Sequence, residues 1–120
     1  FKELPLINLL KHFNMISRIW HGYTTKDNAD TYESLLQKEI FAGIAKKNIE
    51  GYRGIQLLRR ELPEETEFIT IMWFDSIDSV RTFAGEDYEK AVVPDSAQKV
   101  LSHYDKRSAH YIVKTDEFPR

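Results

Sequence analysis

The chain has 120 residues, of which 42% are hydrophobic and 30% charged, with a net charge of -2. That is enough for one domain with one core, and the acidic balance excludes the basic footprint that nucleic-acid binding requires. The absence of cysteine removes disulfides, thiolate metal sites and a cysteine nucleophile together, and it fits a reducing cytoplasm.

Residues 1–14, FKELPLINLLKHFN, lack the basic start and small-residue cleavage site of a signal peptide. Two readings stay open for them. They are a leader or cloning-derived extension ahead of a natural start at Met15, or a short helix presenting Leu4, Ile7, Leu10 and Lys11 to a neighbour. No apolar run approaches the roughly 20 residues of a membrane span.

Residues 15–23, MISRIWHGY, predict a strand from their β-branched and aromatic content. Alternation puts Arg18 and Trp20 on one face, and Ser17, Ile19 and His21 on the other. Asp27 is the expected N-cap of the first helix, with Asp30 in its first turn. Ala29, Tyr32, Leu36, Ile40 and Ile44 recur at helical spacing. Residues 52–62 predict a second strand, with a bulge or close backbone approach at Gly54. A PEET turn over 63–66 leads to a third strand, 67–74, completing a hairpin. That third strand is apolar on both faces: Phe68, Met72 and Phe74 on one, Ile69, Ile71 and Trp73 on the other. A sheet of this kind needs cover on both sides.

Ser76 is read as the cap of the next helix, whose buried stripe is Ile77, Val80, Phe83 and Ala84. Gly85 ends it through a left-handed residue. Residues 88–92 make a brief helical turn, and Pro94 opens a further helix carrying Ala97, Val100, Leu101 and Tyr104 on one face. Residues 110–114, HYIVK, form the last strand, and 115–120 a surface tail. The order β-α-β-β-α-β is the ferredoxin-like, split βαβ arrangement: α+β, an antiparallel sheet with helices on one face and the second helical region broken. One domain over 15–114 is expected. The economical cover for its open sheet face is a second copy, stacked sheet on sheet as a homodimer.

SRIWHGY, GYRGIQLLRRE, TIMWFDSIDSVRTFAGEDYEKAVVPDSAQKVL and HYDKRSAHYIV together resemble the antibiotic biosynthesis monooxygenase family, small dimeric α+β barrel proteins. FAGEDYEKAVVPD is the most specific stretch, and the resemblance covers about residues 15–114. It implies a cofactor-independent oxygenase acting on a small aromatic or quinol-type substrate, or a non-catalytic ligand-binding or structural dimer of the same fold. Relatives in this fold that degrade haem use a His in the second helical region. That position falls near Ala91 here, with no His between Gln56 and Gln98, so haem degradation is not expected.

Under the resemblance, His110 is the candidate base, Trp73 the residue that orients a flat substrate, and Arg18 the holder of an oxyanion. Each also has a plainer reading: a His bonded to a strand carbonyl, a core aromatic, an ion-paired Arg. Trp73 stands three residues before Ser76, whereas the haem-degrading relatives carry Trp two before it. A helix interrupted between Gly85 and Pro94 can bow away from the sheet. It would leave a cavity lined by Phe83, Tyr88 and Val92 opposite Trp73, with Trp20 shaping the pocket and Tyr32 facing either the cavity or only the core; the plainer reading is a kinked connection filled by side chains. Asp105 is a candidate to orient His110 or His103. No spacing of His with acids has the pattern of a metal site, and no cofactor is expected.

Overall fold

The computed structural model describes residues 15–119. The readings of residues 1–14 lie outside the described residues. The chain runs β1 (Ile16–Thr25), α1 (Ala29–Leu35), a π-helical segment (Leu36–Ile40), α2 (Phe41–Lys46), β2 (Tyr52–Glu61), β3 (Glu65–Phe74), α3 (Ile77–Ala84), α4 (Asp95–Gln98), β4 (His103–Tyr104) and β5 (Ala109–Ile112).

β1 is the centre of the sheet. It pairs antiparallel with β3 from Ile16↔Phe74 to Thr25↔Glu65, and β3 pairs antiparallel with β2. Its other edge is shared by β4 and β5, through Gly22↔Tyr104 and Arg18↔His110. The order β2-β3-β1-β4/β5 is the ferredoxin-like topology that the sequence predicts, with β1 and β2 parallel and β3 between them. Strand alternation decides what each face carries. Ile16, Trp20, Phe68, Met72 and Phe74 are buried beneath the helices, the last two packed with Val80 of α3. Tyr32 and Leu36 pack on Trp20 and Phe68. Gly22 lies under the Trp20 ring, where a Cβ would come within 2.5 Å of the indole.

The first helix is continuous from 29 to 46 but not uniform. The π-helical stretch adds a residue to one turn, so Ile40 and Phe41 both face the sheet side that a regular helix would give to only one of them. Asp27 does not cap this helix. Asn28 stands at the cap without a side-chain capping bond; its Nδ2 donates to the Val100 carbonyl at 3.4 Å instead, and its amide closes the preceding turn on the carbonyl and hydroxyl of Thr25. Ser76 does cap α3, its hydroxyl accepting from the Ser79 amide at 3.2 Å.

Gly54 sits at a bulge opposite Trp73, as its place in the strand predicts. Gly85 ends α3, but at φ 95° and ψ -177°. That is not the left-handed helical cap but an extended mirror region essentially reserved for glycine. Residues 88–92 are not helical. They are stitched to the segment ahead of β5, with the Ala91 amide on the Lys106 carbonyl and the Ser108 amide on that of Glu89. Pro94 precedes α4 rather than opening it, its carbonyl accepting from Ala97 and Gln98. The helix expected through Tyr104 stops at Gln98. The free edge of β1 captures the chain there: Ser102 donates to the Tyr23 carbonyl at 2.8 Å, and His103–Tyr104 become a strand that periodicity did not predict.

Candidate functional site

A cleft lies between the helical face of the sheet and the broken region. Its floor is Arg18 and Trp20 of β1 with Thr70 and Met72 of β3. Its walls are Tyr32, Leu36 and Ile40 from the first helix, and Phe83, Val92 and Pro94 from the interrupted one. Its volume is about 60 Å³. An adjoining outer cleft of about 230 Å³ shares Ile40, Ile44, Phe83, Val92 and Pro94 with it and adds Lys47 at the rim. The break in the helix therefore does border a cavity, and Phe83 and Val92 stand between its inner and outer parts.

Arg18 dominates the chemistry. Its residue is 3% exposed, and among the described residues no carboxylate reaches its guanidinium. Nη1 donates to the Tyr88 carbonyl, Nη2 donates to the Lys90 carbonyl at 3.1 Å, and Nη1 lies 3.1 Å from His110 Nε2. The Phe83 ring covers the guanidinium carbon at 5.5 Å, a cation-π arrangement that partly replaces lost hydration. Burial lowers the Arg18 pKa to about 10, so the group is still a cation at neutral pH. A buried cation held by carbonyls, without an acid, retains attraction for an anion. Of its five N–H donors, Nε–H and one hydrogen on Nη2 have no acceptor among the described residues.

His110 pairs with Arg18 across the β1–β5 ladder, which explains their contact. The guanidinium can only donate, so Nε2 must accept and the ring proton must sit on Nδ1. That Nδ1 is buried with no partner among the described residues. Burial first, and then the Arg18 charge, push the imidazole pKa down, with Glu89 opposing them. His110 is thus neutral near pH 7. It stands behind Arg18 rather than on the cleft wall. Tyr88 contacts it edge to face at 5.2 Å, so Tyr88 supports the site through its carbonyl and ring and does not line the cleft.

Five of the eight sequence candidates border the cleft: Arg18, Trp20, Tyr32, Phe83 and Val92. Trp73 does not. It pairs with Ser17 on the opposite face of the sheet, where its Nε1 donates to Gln56 Oε1 at 2.9 Å. The cavity expected opposite Trp73 lies across the sheet from it, because odd-numbered positions of β3 point away from the helices. Asp105 enters through its backbone, its carbonyl accepting from Trp20 Nε1 at 2.8 Å. His103 pairs with Glu65, and His21 with Glu67. Among the described residues no cluster of three His or acidic side chains could hold a metal, and no helix is long and apolar enough to cross a membrane.

The sequence reading missed Thr70 and Ser108, which also line the cleft. Thr70 could have been found by alternation from Met72; Ser108, in the connection before β5, carried no signal.

The architecture matches solved structures over nearly its whole length. The fold is that of the antibiotic biosynthesis monooxygenases. A Bacillus cereus structure described as a candidate member is 14% identical, with a TM-score of 0.64, covering 88% of this chain and 99% of its own. A Caulobacter crescentus structure described likewise is 19% identical, at a TM-score of 0.57 over 94% and 100%. The ActVA-Orf6 monooxygenase of Streptomyces coelicolor, solved with nanaomycin D, is 11% identical at 0.55 over 91% and 95%. At these identities the likeness to the monooxygenases is one of fold. No known family's sequence profile matches the chain, and no curated protein matches it.

Proposed function

We propose that the protein is a cofactor-independent oxygenase of the cytoplasm, acting with dioxygen on a small aromatic or quinol-type substrate in the cleft. The observation that carries this reading is Arg18, a buried cation without an acid partner among the described residues, which borders an apolar cavity and has a neutral imidazole against it. Such a group stabilises a substrate oxyanion far better than the same charge in water.

Substrate binding takes Arg18 to the substrate oxygen and frees His110 Nε2 to accept the proton. The resulting electron-rich anion passes one electron to dioxygen, and the two radicals join as a carbon-bound peroxide. Loss of water leaves a carbonyl. For an anthrone-type methylene, one dioxygen is consumed, one oxygen atom enters the ketone and the other leaves in water with both methylene hydrogens. Trp20 and Phe83 shape the cavity and exclude water from this step.

The protein works as a homodimer through the open sheet face. Ile69, Ile71 and Trp73 are only half-buried there, and Leu58 and Tyr111 are 43% and 57% exposed. A contiguous apolar surface of this kind marks an interface.

One observation favours a second reading, a binding protein without turnover. The inner cavity, at about 60 Å³, is smaller than the roughly 150 Å³ that holds benzene in an engineered core. Catalysis therefore requires Phe83 and Val92 to give way and join the two clefts. Oxygen uptake on anthrone-type and hydroquinone substrates decides between the readings. Wild type should consume oxygen, and Arg18→Gln should lose at least about a hundredfold in kcat/KM, as loss of an oxyanion donor does. Trp73→Phe, across the sheet, should keep its rate. No uptake above the protein-free control, with the same compounds still bound, would establish the second reading.

A further inference from the structure

We infer that the sheet face away from the helices carries a second reactive site, in which His21, held by Glu67 beside Arg60, is a general base for hydrolysing small esters with a short apolar acyl group. This activity goes beyond the oxygenase reading and does not depend on it. The strand ladders assemble the site. His21, Ile69 and Leu58 stand in one row across β1, β3 and β2, and Tyr23, Glu67 and Arg60 in the next. A cleft of about 380 Å³ opens there, lined by His21, Leu58, Arg59, Arg60, Glu67 and Ile69. It stands at the polar margin of the face, so a second copy seated on Ile71 and Trp73 would wall the cleft rather than fill it.

Glu67 is only 7% exposed and has donors on both carboxylate oxygens. Oε2 accepts from His21 Nδ1 at 3.0 Å and from the Tyr23 hydroxyl at 3.2 Å. Oε1 accepts from Arg60 Nε at 3.1 Å and Nη2 at 3.0 Å. These donors favour the ionised carboxyl, that of His21 counting most. An ionised carboxylate can only accept, so Nδ1 carries the ring hydrogen and, in the neutral imidazole, Nε2 keeps its lone pair. That Nε2 has no partner among the described residues and lies across the ring from Glu67. A carboxylate behind a histidine in this way makes the imidazole an oriented general base. Of its five N–H groups Arg60 gives two to Glu67 and keeps three, a donor set for an oxyanion. Leu58 and Ile69 offer an apolar seat that suits a short acyl chain.

The reaction balances without a further reagent. Nε2 takes a proton from water as the water oxygen bonds to the acyl carbon, and the tetrahedral oxyanion rests on Arg60. The C–O bond to the leaving group then breaks, its electron pair going to the leaving oxygen, which recovers the proton from Nε2. One ester and one water give one acid and one alcohol.

Hydrolysis of p-nitrophenyl butyrate by wild type, His21→Gln, Glu67→Gln, His103→Gln and Arg18→Gln tests this, with far-ultraviolet spectra to show that each variant is folded. Wild type should release nitrophenolate with saturation kinetics. His21→Gln should lose about a hundredfold in kcat/KM, as removal of a positioned general base does. Glu67→Gln should lower kcat and leave KM unchanged, because it removes the charge that steadies the imidazolium and not the apolar seat. His103→Gln, an exposed histidine paired with Glu65, and Arg18→Gln, on the other face, should keep the wild-type rate. Should Glu67→Gln fail to fold, His21→Gln, at a half-buried position, still decides. Release no faster than with free imidazole at equal concentration, a His21→Gln rate equal to wild type, or an equal loss in Arg18→Gln would overturn the site.

Discussion

Arg18 and His110 make the residue scale legible as a pH profile. Protonating His110 would set a second cation 3.1 Å from the guanidinium, and burial already disfavours it. A depressed imidazole pKa means that the competent, neutral form persists on the acid side of the ordinary value near 6.5. The acid limb of kcat/KM should therefore have its midpoint below pH 6.5, and His110→Ala should erase that limb. On the alkaline side, Arg18 loses its charge through about pH 10, so KM for an anionic ligand should climb there. A limb above 6.5 would show that His110 is not the titrating group. The same shift links to stability with one sign. The unfolded chain binds the proton more readily, so the contribution of His110 is intact above about pH 6.5 and is lost as the pH falls below it. Arg18 also shows where sequence reading reaches its limit. Alternation placed it beside Trp20, but whether an acid partners it depends on the carbonyls of Tyr88 and Lys90, some seventy positions away.

Among the elements, the broken helical region matters most. Gly85 holds a backbone conformation that costs other residues about 1–3 kcal/mol, although a Cβ there would meet nothing within 4 Å. Gly85→Ala should thus lower stability by about that amount through strain alone, read in thermal or denaturant unfolding. Gly43 is the control. It lies in α2, also with nothing within 4 Å of a Cβ, and Gly43→Ala should stabilise by up to about 1 kcal/mol. If both alanines were neutral, the conformation at 85 would not be what directs the chain. After Gly85, residues 86–91 run beside residues 106–108, ahead of β5, where Arg107 binds Asp87 at 2.8 Å and the Tyr88 and Lys90 carbonyls reach Arg18. The interruption serves the site by bringing unpaired carbonyls to a buried cation. A continuous helix would have spent those carbonyls on its own hydrogen bonds. The π-helical stretch on the opposite wall works similarly, turning both Ile40 and Phe41 toward the cleft.

Considered whole, the molecule has one covered sheet face and one partly bare. The bare face is apolar toward Trp73, Ile71 and Leu58. Toward the other end it is polar, where buried Glu67 accepts from His21, Tyr23 and Arg60. Those bonds hold the Glu67 carboxyl below its usual range, His21 contributing most. If a second copy covers this face, wild type should sediment as a dimer at micromolar concentration. Leu58→Glu combined with Tyr111→Glu should sediment as a folded monomer with an unchanged far-ultraviolet spectrum. A wild-type monomer at that concentration would remove the interface and leave the fold and cleft as they are.

The topology, the two-faced β3 and the Gly85 break were all readable from the amino-acid order, because alternation, helical spacing and glycine's conformational freedom act over a few residues. Strand alternation also put Arg18 on one face with Trp20, and the break after Gly85 put Phe83 and Val92 beside a cavity, since strand faces and helix stripes tell which side chains point inward. It misjudged Trp73, whose face depends on which side of the sheet the helices cover, and the segment 88–104, whose backbone bonds go to β1 and to residues 106–108 rather than to itself. Only the tertiary structure decided that Arg18 has no acid among the described residues, that His110 lies behind it, and that the Tyr88 and Lys90 carbonyls hold it. Those are facts about contacts between distant residues, and a linear order does not specify them.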